Sequence, residues 1–328
     1  MLLLNREEIR RVYTMRDAIE GNREAYTLLA SGACEVPLRT QIASPDVGGT
    51  FLFMPSFSRK LGAAGLKIVN IFPKNSEKGL TTCPASVLLM DAETGVVTAM
   101  MDGTTVTQMR TGAASGLAFE LFGRKDARVG ALIGTGAQAE CQLEAMLTAR
   151  QLGEVRVFSR TAEKRDAFAE RMRLRFAETG VKIVSAASGN EAVDGADLII
   201  TVTPSETPTF DAKYVKCGAT VSGIGSYQHK MQEIDPALFA RCSKIYFDSR
   251  EAVLSESGDI TKPLGDGTLR ESQFTGDIGD VLLGKIPTRE NDDEIIVFKA
   301  VGVGVQDLVA AQHVYARAAE QRVGTEWN

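Results

Sequence analysis

Histidine is scarce in this 328-residue chain: only His229 and His313 occur. The five cysteines, Cys34, Cys83, Cys141, Cys217 and Cys242, are scattered, with no two at metal-ligand spacing. That pattern excludes the usual Cys/His zinc site. The odd count fits a reducing compartment better than a disulfide framework. A Ser-His-Asp mechanism would have two histidines to draw on and no nucleophile-elbow motif. No apolar run approaches the roughly 18–20 residues of a spanning helix. Met1-Leu2-Leu3-Leu4 is cut off by Asn5, Arg6, Glu7 and Glu8, so it does not read as a signal peptide. A cytoplasmic location is the expectation. Net charge is −5 with no polybasic run, which argues against nucleic-acid or membrane-surface partners. Chemistry in such a chain falls to a cofactor, or to Lys, Arg, Asp and Tyr, with no metal.

What is present is an ordinary globular composition, 44% hydrophobic and 24% charged. At about 100–200 residues per domain, the length suggests two domains. The first forty residues read as a short helix opened by Asn5-Arg6-Glu7-Glu8 and an amphipathic helix from Met15 to Leu29. Between Val36 and Met101, β-prone runs alternate with Gly, Pro and Asn breakers, and Asp91–Gly95 has hairpin-turn chemistry. This predicts one mixed or antiparallel sheet. Thr107 to Leu121 reads as a helix. From Ala127 the rhythm is strand and helix in alternation: Val129–Ile133, Ala137–Arg150, Val155–Ser159 and Ala162–Thr179. Strands follow at Ala196–Val202, Thr220–Ile224, Lys244–Asp248 and Ile295–Val301, then a helix from Val305 to Arg322. Such alternation predicts an α/β fold with a Rossmann-type parallel sheet.

The clearest chemical signal is Val129-Gly130-Ala131-Leu132-Ile133-Gly134-Thr135-Gly136-Ala137-Gln138-Ala139. It is strand, G-x-G-x-x-A, then helix. Gly134 permits the tight turn, Gly136 lets backbone approach a pyrophosphate, and Ala139 lets helix and strand pack closely. The helix start offers unpaired N–H groups and a positive dipole end to phosphates. An NAD site usually carries Asp or Glu at the end of the second strand, to bind the ribose 2′-hydroxyl. Here that place reads Ser159-Arg160-Thr161. These side chains suit a 2′-phosphate, so NADP(H) is favoured and NAD(H) remains open.

Upstream, four segments join rigid turns to polar or cationic side chains: 36–40, 65–70, Thr81-Thr82 and 107–114. Arg39 or Arg110 is suited to clamp a carboxylate in bidentate fashion. Lys67 lies in a strand between Leu66 and Ile68, where desolvation and neighbouring cations lower an ammonium toward the range useful for proton transfer. Surface or structural ion pairs are the plain alternative for each of these residues.

Across nearly its whole length the sequence resembles the ornithine cyclodeaminase/mu-crystallin family. The residues that carry the resemblance are Val36-Pro37-Leu38-Arg39, Gly65-Leu66-Lys67, Arg110-Thr111-Gly112-Ala113 and Gly134-Thr135-Gly136-Ala137-Gln138-Ala139. Gly223-Ile224-Gly225-Ser226 with Glu233-Ile234-Asp235, and Val297 to Gly302 with Asp307, complete the set. The resemblance implies a homodimer in two domains. Residues 1–118 and 303–328 would bind substrate and form the subunit contact, and 119–302 would bind the dinucleotide. It further implies that Arg39, Lys67 and Arg110, joined by Thr82, surround the substrate carboxylate and its α-nitrogen. Thr111 and the 134–139 turn, Gly136, Ala137 and Gln138 included, would hold cofactor phosphates. Thr203-Pro204 and Gly225-Ser226 would lie near the adenosine and nicotinamide, with Val303 and Gly304 closing over the nicotinamide side.

One departure from the family pattern matters. Its cyclodeaminases and its alanine dehydrogenase carry an aspartate two residues after the Gly225 position, where this chain has Tyr227. The resemblance therefore implies an NAD(P)H-dependent reductase of a cyclic or acyclic α-imino acid, reversible as an amino-acid dehydrogenase. Lys67 is the first choice of proton donor or electrostatic activator, directly or through water, with Tyr227 or His229 as substitutes. Two other readings stand beside it. One is an ornithine or lysine cyclodeaminase with recycled NAD; the other is a non-catalytic NADP-dependent ligand-binding protein.

Overall fold

In the computed structural model, which describes residues 1–327, contacts divide the chain into two units. One comprises Met1–Arg110 and the segment from Val303 onward, and the other is Thr111–Gly302. The fold is α/β.

The first unit opens with strand β1 (Leu2–Leu4), then helices α1 (Arg6–Val12) and α2 (Met15–Ala30). Capping boxes start both helices: Asn5 with Glu8, and Thr14 with Asp17. Strands β2 (Thr40–Ser44), β3 (Gly49–Ser58), β4 (Ala63–Ile71), β5 (Ala85–Asp91) and β6 (Val97–Asp102) form an antiparallel meander. The predicted hairpin turn joins β5 to β6, with Asp91 Oδ1 accepting from the Glu93 and Thr94 amides. β1 adds to β6 in parallel, so the sheet is mixed. Helix α3 (Gly103–Phe122) then runs across the boundary between the units at Arg110/Thr111.

The second unit is a parallel sheet of β7 (Val129–Ile133), β8 (Glu154–Phe158), β9 (Lys182–Ser185), β10 (Leu198–Thr201), β11 (Thr220–Gly223), β12 (Lys244–Phe247), β13 (Gly276–Asp277) and β14 (Ile296–Lys299). Its order is β13-β12-β14-β11-β10-β7-β8-β9. The strand order reverses between β7 and β10, where a doubly wound sheet opens the crevice that binds ligands. Its helices are α4 (Ala139–Ala149), α5 (Ala162–Arg175), α6 (Gly189–Val193), α7 (Arg250–Glu256), α8 (Gly258–Gly265) and α9 (Ile278–Leu282). The helix expected over 162–179 ends earlier, at Arg175; a 3-10 turn follows and Gly180 breaks the run at φ +70°. The central strands β10, β11, β12 and β14 are buried on both faces, as covered parallel strands are.

The chain returns to the first unit as α10 (Gly304–Gln321) and β15 (Thr325–Glu326), which pairs with β1. α10 packs on β3, β4 and β5 and against α2. Gly65 on β4 lets it lie close, since a Cβ there would stand 3.1 Å from Leu308 Cδ1. The face beneath α10 buries Leu52, Met54, Val87, Leu89, Ala99 and Met101. Alternate positions on the same strands, Phe53, Leu66, Ile68, Leu88 and Met100, form a half-exposed apolar face.

Candidate active site

Strand alternation puts Lys67 on the face of β4 beneath α10, paired across the sheet with Met54 and Val87. Its Nζ is 2.7 Å from Asp307 Oδ2, and both side chains are almost wholly buried. Asp307 sits in the first turn of α10, where the helix dipole favours a carboxylate. Its second oxygen accepts from Arg110 Nε at 3.0 Å. Arg110 Nη1 donates to Gln306 Oε1 at 3.3 Å, and Gln306 in turn donates to Asn22 Oδ1. Asn22 closes the ring by donating to the Arg110 carbonyl at 2.8 Å. Arg110 Nη2 has no hydrogen bond among the described residues, which leaves one guanidinium donor group for an anion.

The charges in this buried cluster are unequal. Two buried cations share one carboxylate, and Arg39 adds a third positive charge nearby. Burial, helped by Arg110, lowers the Lys67 ammonium to about 7; Asp307 opposes the shift and Arg39 adds to it. Asp307 itself is pressed upward by burial, but Arg110 and Lys67 outweigh that and hold it below its ordinary value. The cluster thus carries a surplus positive charge suited to a carboxylate, beside an amine able to give or take a proton near neutrality.

The second unit holds the glycine turn. Gly134 has φ +113°, and a Cβ there would lie 2.6 Å from the Val202 carbonyl oxygen, so only glycine serves. Gly136 faces open space, with nothing within 4 Å of a built Cβ. The Gln138 side chain at the start of α4 makes no capping hydrogen bond. A cradle that an added Cβ would fill, next to an uncapped helix start, fits a pyrophosphate. Ser159 is half-buried, while Arg160 and Thr161 are exposed at the end of β8. Arg160 makes no ion pair or side-chain hydrogen bond among the described residues.

The remaining sequence-selected residues are dispersed. Thr82 is half-buried between the 3-10 turn at 73–78 and β5, and Thr111 accepts from Gln142 Nε2 through its carbonyl. Exposed Ala137 lies in the glycine turn. Thr203 is half-buried and Pro204 exposed in the loop after β10. Gly225 is buried in the loop after β11, with half-buried Tyr227 two residues on. The Ser226 hydroxyl is engaged inside the fold, with Met231, Ser257 and Asp259. Val303 donates its N–H to Gln306, and the Gly304 carbonyl accepts from Ser56. Gly304 permits close packing, since a Cβ would lie 3.0 Å from the Pro55 carbonyl oxygen. Exposed His229 bonds Thr261, and His313 pairs with Glu24.

Sequence reasoning assigns no role to Asp307, Gln306 or Asn22. A signal for two of them exists: Asp307 falls on one helical stripe with buried Ala311, Val314 and Ala318, and Asn22 on one with Ala18 and Ala25. A polar residue on an apolar stripe needs a partner.

A family model described as the ornithine cyclodeaminase/mu-crystallin family matches residues 1–322. The chain belongs to the ornithine cyclodeaminase/mu-crystallin family. It is 35% identical to a Delta(1)-pyrroline-2-carboxylate reductase of Bacillus cereus, over 99% of this chain and 98% of the relative. Among solved structures it resembles the Thermococcus litoralis Delta(1)-pyrroline-2-carboxylate reductase in complex with NADH and L-proline. There the TM-score is 0.95 and identity 34%, over 100% of both chains. It also resembles an archaeal alanine dehydrogenase dimer with bound NAD, at TM-score 0.91 and 32% identity, over 100% of this chain and 99% of the other. These two structures hold nicotinamide dinucleotides, as the turn of this family member predicts.

Proposed function

We propose that this family member is an NAD(P)H-dependent reductase that converts an α-imino acid to the α-amino acid, and runs the reverse oxidation. The observation that carries the reading is the buried Lys67–Asp307–Arg110 arrangement, an acid–base amine set beside surplus positive charge. The dinucleotide cradle in the second unit and the similarity to two pyrroline-2-carboxylate reductases support it.

Each residue then has a distinct task. Arg110, through Nη2, and Arg39 bind the substrate carboxylate and so orient the C=N bond. Lys67 holds a proton on Nζ and gives it to the imine nitrogen, which makes the α-carbon a better hydride acceptor. A reduced nicotinamide, when bound, supplies that hydride. The C=N double bond becomes CH–NH, with the proton on nitrogen and the hydride on carbon. Asp307 keeps Lys67 charged in a setting whose burial favours the neutral amine. Gly134, Gly136, Ala137 and Gln138 hold the pyrophosphate, with Thr111, Thr203, Pro204 and Gly225 as further cofactor contacts. Tyr227 stands where an aspartate would serve a cyclodeaminase, so imine reduction is preferred to cyclodeamination.

Ser159, Arg160 and Thr161 favour NADP(H) over NAD(H), because three unpaired donors with one full charge suit a 2′-phosphate. A homodimer formed through the half-exposed face of Phe53, Leu66, Ile68, Leu88 and Met100 completes the reading. Sedimentation equilibrium at a single-chain mass contradicts the dimer.

The deciding experiment offers Delta(1)-pyrroline-2-carboxylate, its six-membered homologue, and 2-oxo acids with amines, each with NADPH and NADH. Cofactor consumption with at least one substrate is expected. No turnover by a chain shown to bind dinucleotide sinks the reading.

A further inference from the structure

Three charged side chains that the proposed reaction does not use are buried together in the second unit. Lys299, at the end of β14, lies 3.1 Å from Asp259 Oδ2 in the first turn of α8, and both are fully buried. Asp259 Oδ1 accepts the backbone N–H groups of Glu233 at 2.6 Å and Ile234 at 3.0 Å. The Glu233 carboxylate is also fully buried, and its Oε1 accepts the Thr203 N–H at 2.5 Å. Its Oε2 has no donor among the described residues and crowds Gly225, where a Cβ would stand 2.5 Å away. The Glu233 carbonyl accepts twice from Thr209. One side chain therefore ties the loop after β10 to the loop after β11. The first of these loops presses on the glycine turn, because the Val202 carbonyl and Thr203 Cγ2 are the atoms a Cβ on Gly134 would meet.

We propose that Glu233 is a positioning residue for dinucleotide binding, and that its ionised carboxylate is the form that holds the Thr203–Pro204 segment in place. This rests on the dinucleotide site proposed above. The geometry distinguishes the two protonation states. As a carboxylate, Glu233 receives the Thr203 N–H in a charge-assisted bond, and Lys299 balances it through Asp259. As an acid it is a weaker acceptor for that N–H. The charged groups facing it are Asp259 from α8 and Lys299 from β14; Asp248, after β12, faces Lys299. Burial and Asp259 push Glu233 up to about 7, against the pull of Lys299. The anchoring form is therefore lost as pH falls through neutrality.

The test is NADH affinity without substrate, measured by fluorescence from about pH 8 to about pH 6. NADH is the probe because its pyrophosphate keeps its charge across that range. In the unmodified chain affinity falls with pH. Glu233→Gln, which keeps the shape and an acceptor, is expected to bind about tenfold more weakly at the alkaline end and to lose the pH dependence. If Glu233→Gln does not fold, Asp259→Asn carries the same test: with a neighbouring negative charge gone, the midpoint moves to lower pH. An unmodified profile in Glu233→Gln, or an Asp259→Asn midpoint that stays put, overturns the proposal. Absence of NADH binding by the unmodified chain overturns the dinucleotide reading itself, and this proposal with it.

Discussion

Asp307 Oδ2 stands 2.7 Å from Lys67 Nζ, and the same carboxylate holds Arg110 Nε at 3.0 Å. A single anion in the first turn of α10 thus holds both the amine proposed as proton donor and the guanidinium proposed as carboxylate clamp. The arrangement is short of negative charge until a substrate arrives.

This relationship governs pH dependence. Lys67, lowered to about 7, loses its proton as pH rises through neutrality, so kcat/KM for imine reduction should fall along an alkaline limb there. Asp307 raises Lys67, so Asp307→Asn should move the limb to lower pH by about one unit or more. Steady-state rates across pH measure it, and a limb that stays in place contradicts the role given to Asp307. Asp307→Ala, which leaves two buried cations uncompensated, should also cost about 3–5 kcal/mol of stability by denaturant melting.

Lys67 and Arg110 should fail in different ways. Lys67→Ala removes the proton donor and should depress kcat while NADH or NADPH affinity stays within about twofold. Arg110→Ala removes the clamp and should act chiefly on KM for the imino acid. Initial-rate kinetics with cofactor titrations separate the two. Equal effects on both parameters in both variants would mean that the pair acts structurally.

Gly136 separates folding from binding. Its Cβ position is open space, so Gly136→Ala should melt within about 1 kcal/mol of the unmodified chain. The added methyl occupies the pyrophosphate approach and should weaken dinucleotide binding about tenfold or more. Gly134→Ala, at φ +113° and 2.6 Å from a carbonyl oxygen, should instead destabilise the fold. Calorimetric melting beside fluorescence titration reads both, and unchanged affinity in Gly136→Ala removes the cradle.

Arg160 should discriminate between cofactors. Replacing it with alanine deletes one guanidinium from the end of β8, and NADPH affinity should drop about tenfold while NADH affinity barely changes. Titration of the variant with both cofactors decides this. A parallel loss for the two assigns Arg160 to adenine stacking or to the shared phosphates.

Much of the fold can be read along the chain because its signals are local. β7 occupies the predicted Val129–Ile133, and the capping boxes and the hairpin turn at Asp91 are contiguous patterns. β1, β2 and β9 give no such signal. β1 is a strand because β6 and β15 lie on either side of it, a pairing with no local pattern. α7, α8 and α9 escape a reading of the sequence for a similar reason: helices this short have too few turns to show an apolar stripe.

The same division runs through the site. By itself the sequence determined the glycine turn, the absence of an acid after β8 and the cationic residues at 39, 67 and 110, since each is a property of one short segment. Only the tertiary structure decided that Lys67 and Arg110 meet on Asp307, the latter pair 197 residues apart, and that Glu233 reaches Thr203. An ion pair has no sequence period. Its members come together because burying the apolar faces of β4 and α10 leaves their charges nowhere else to go.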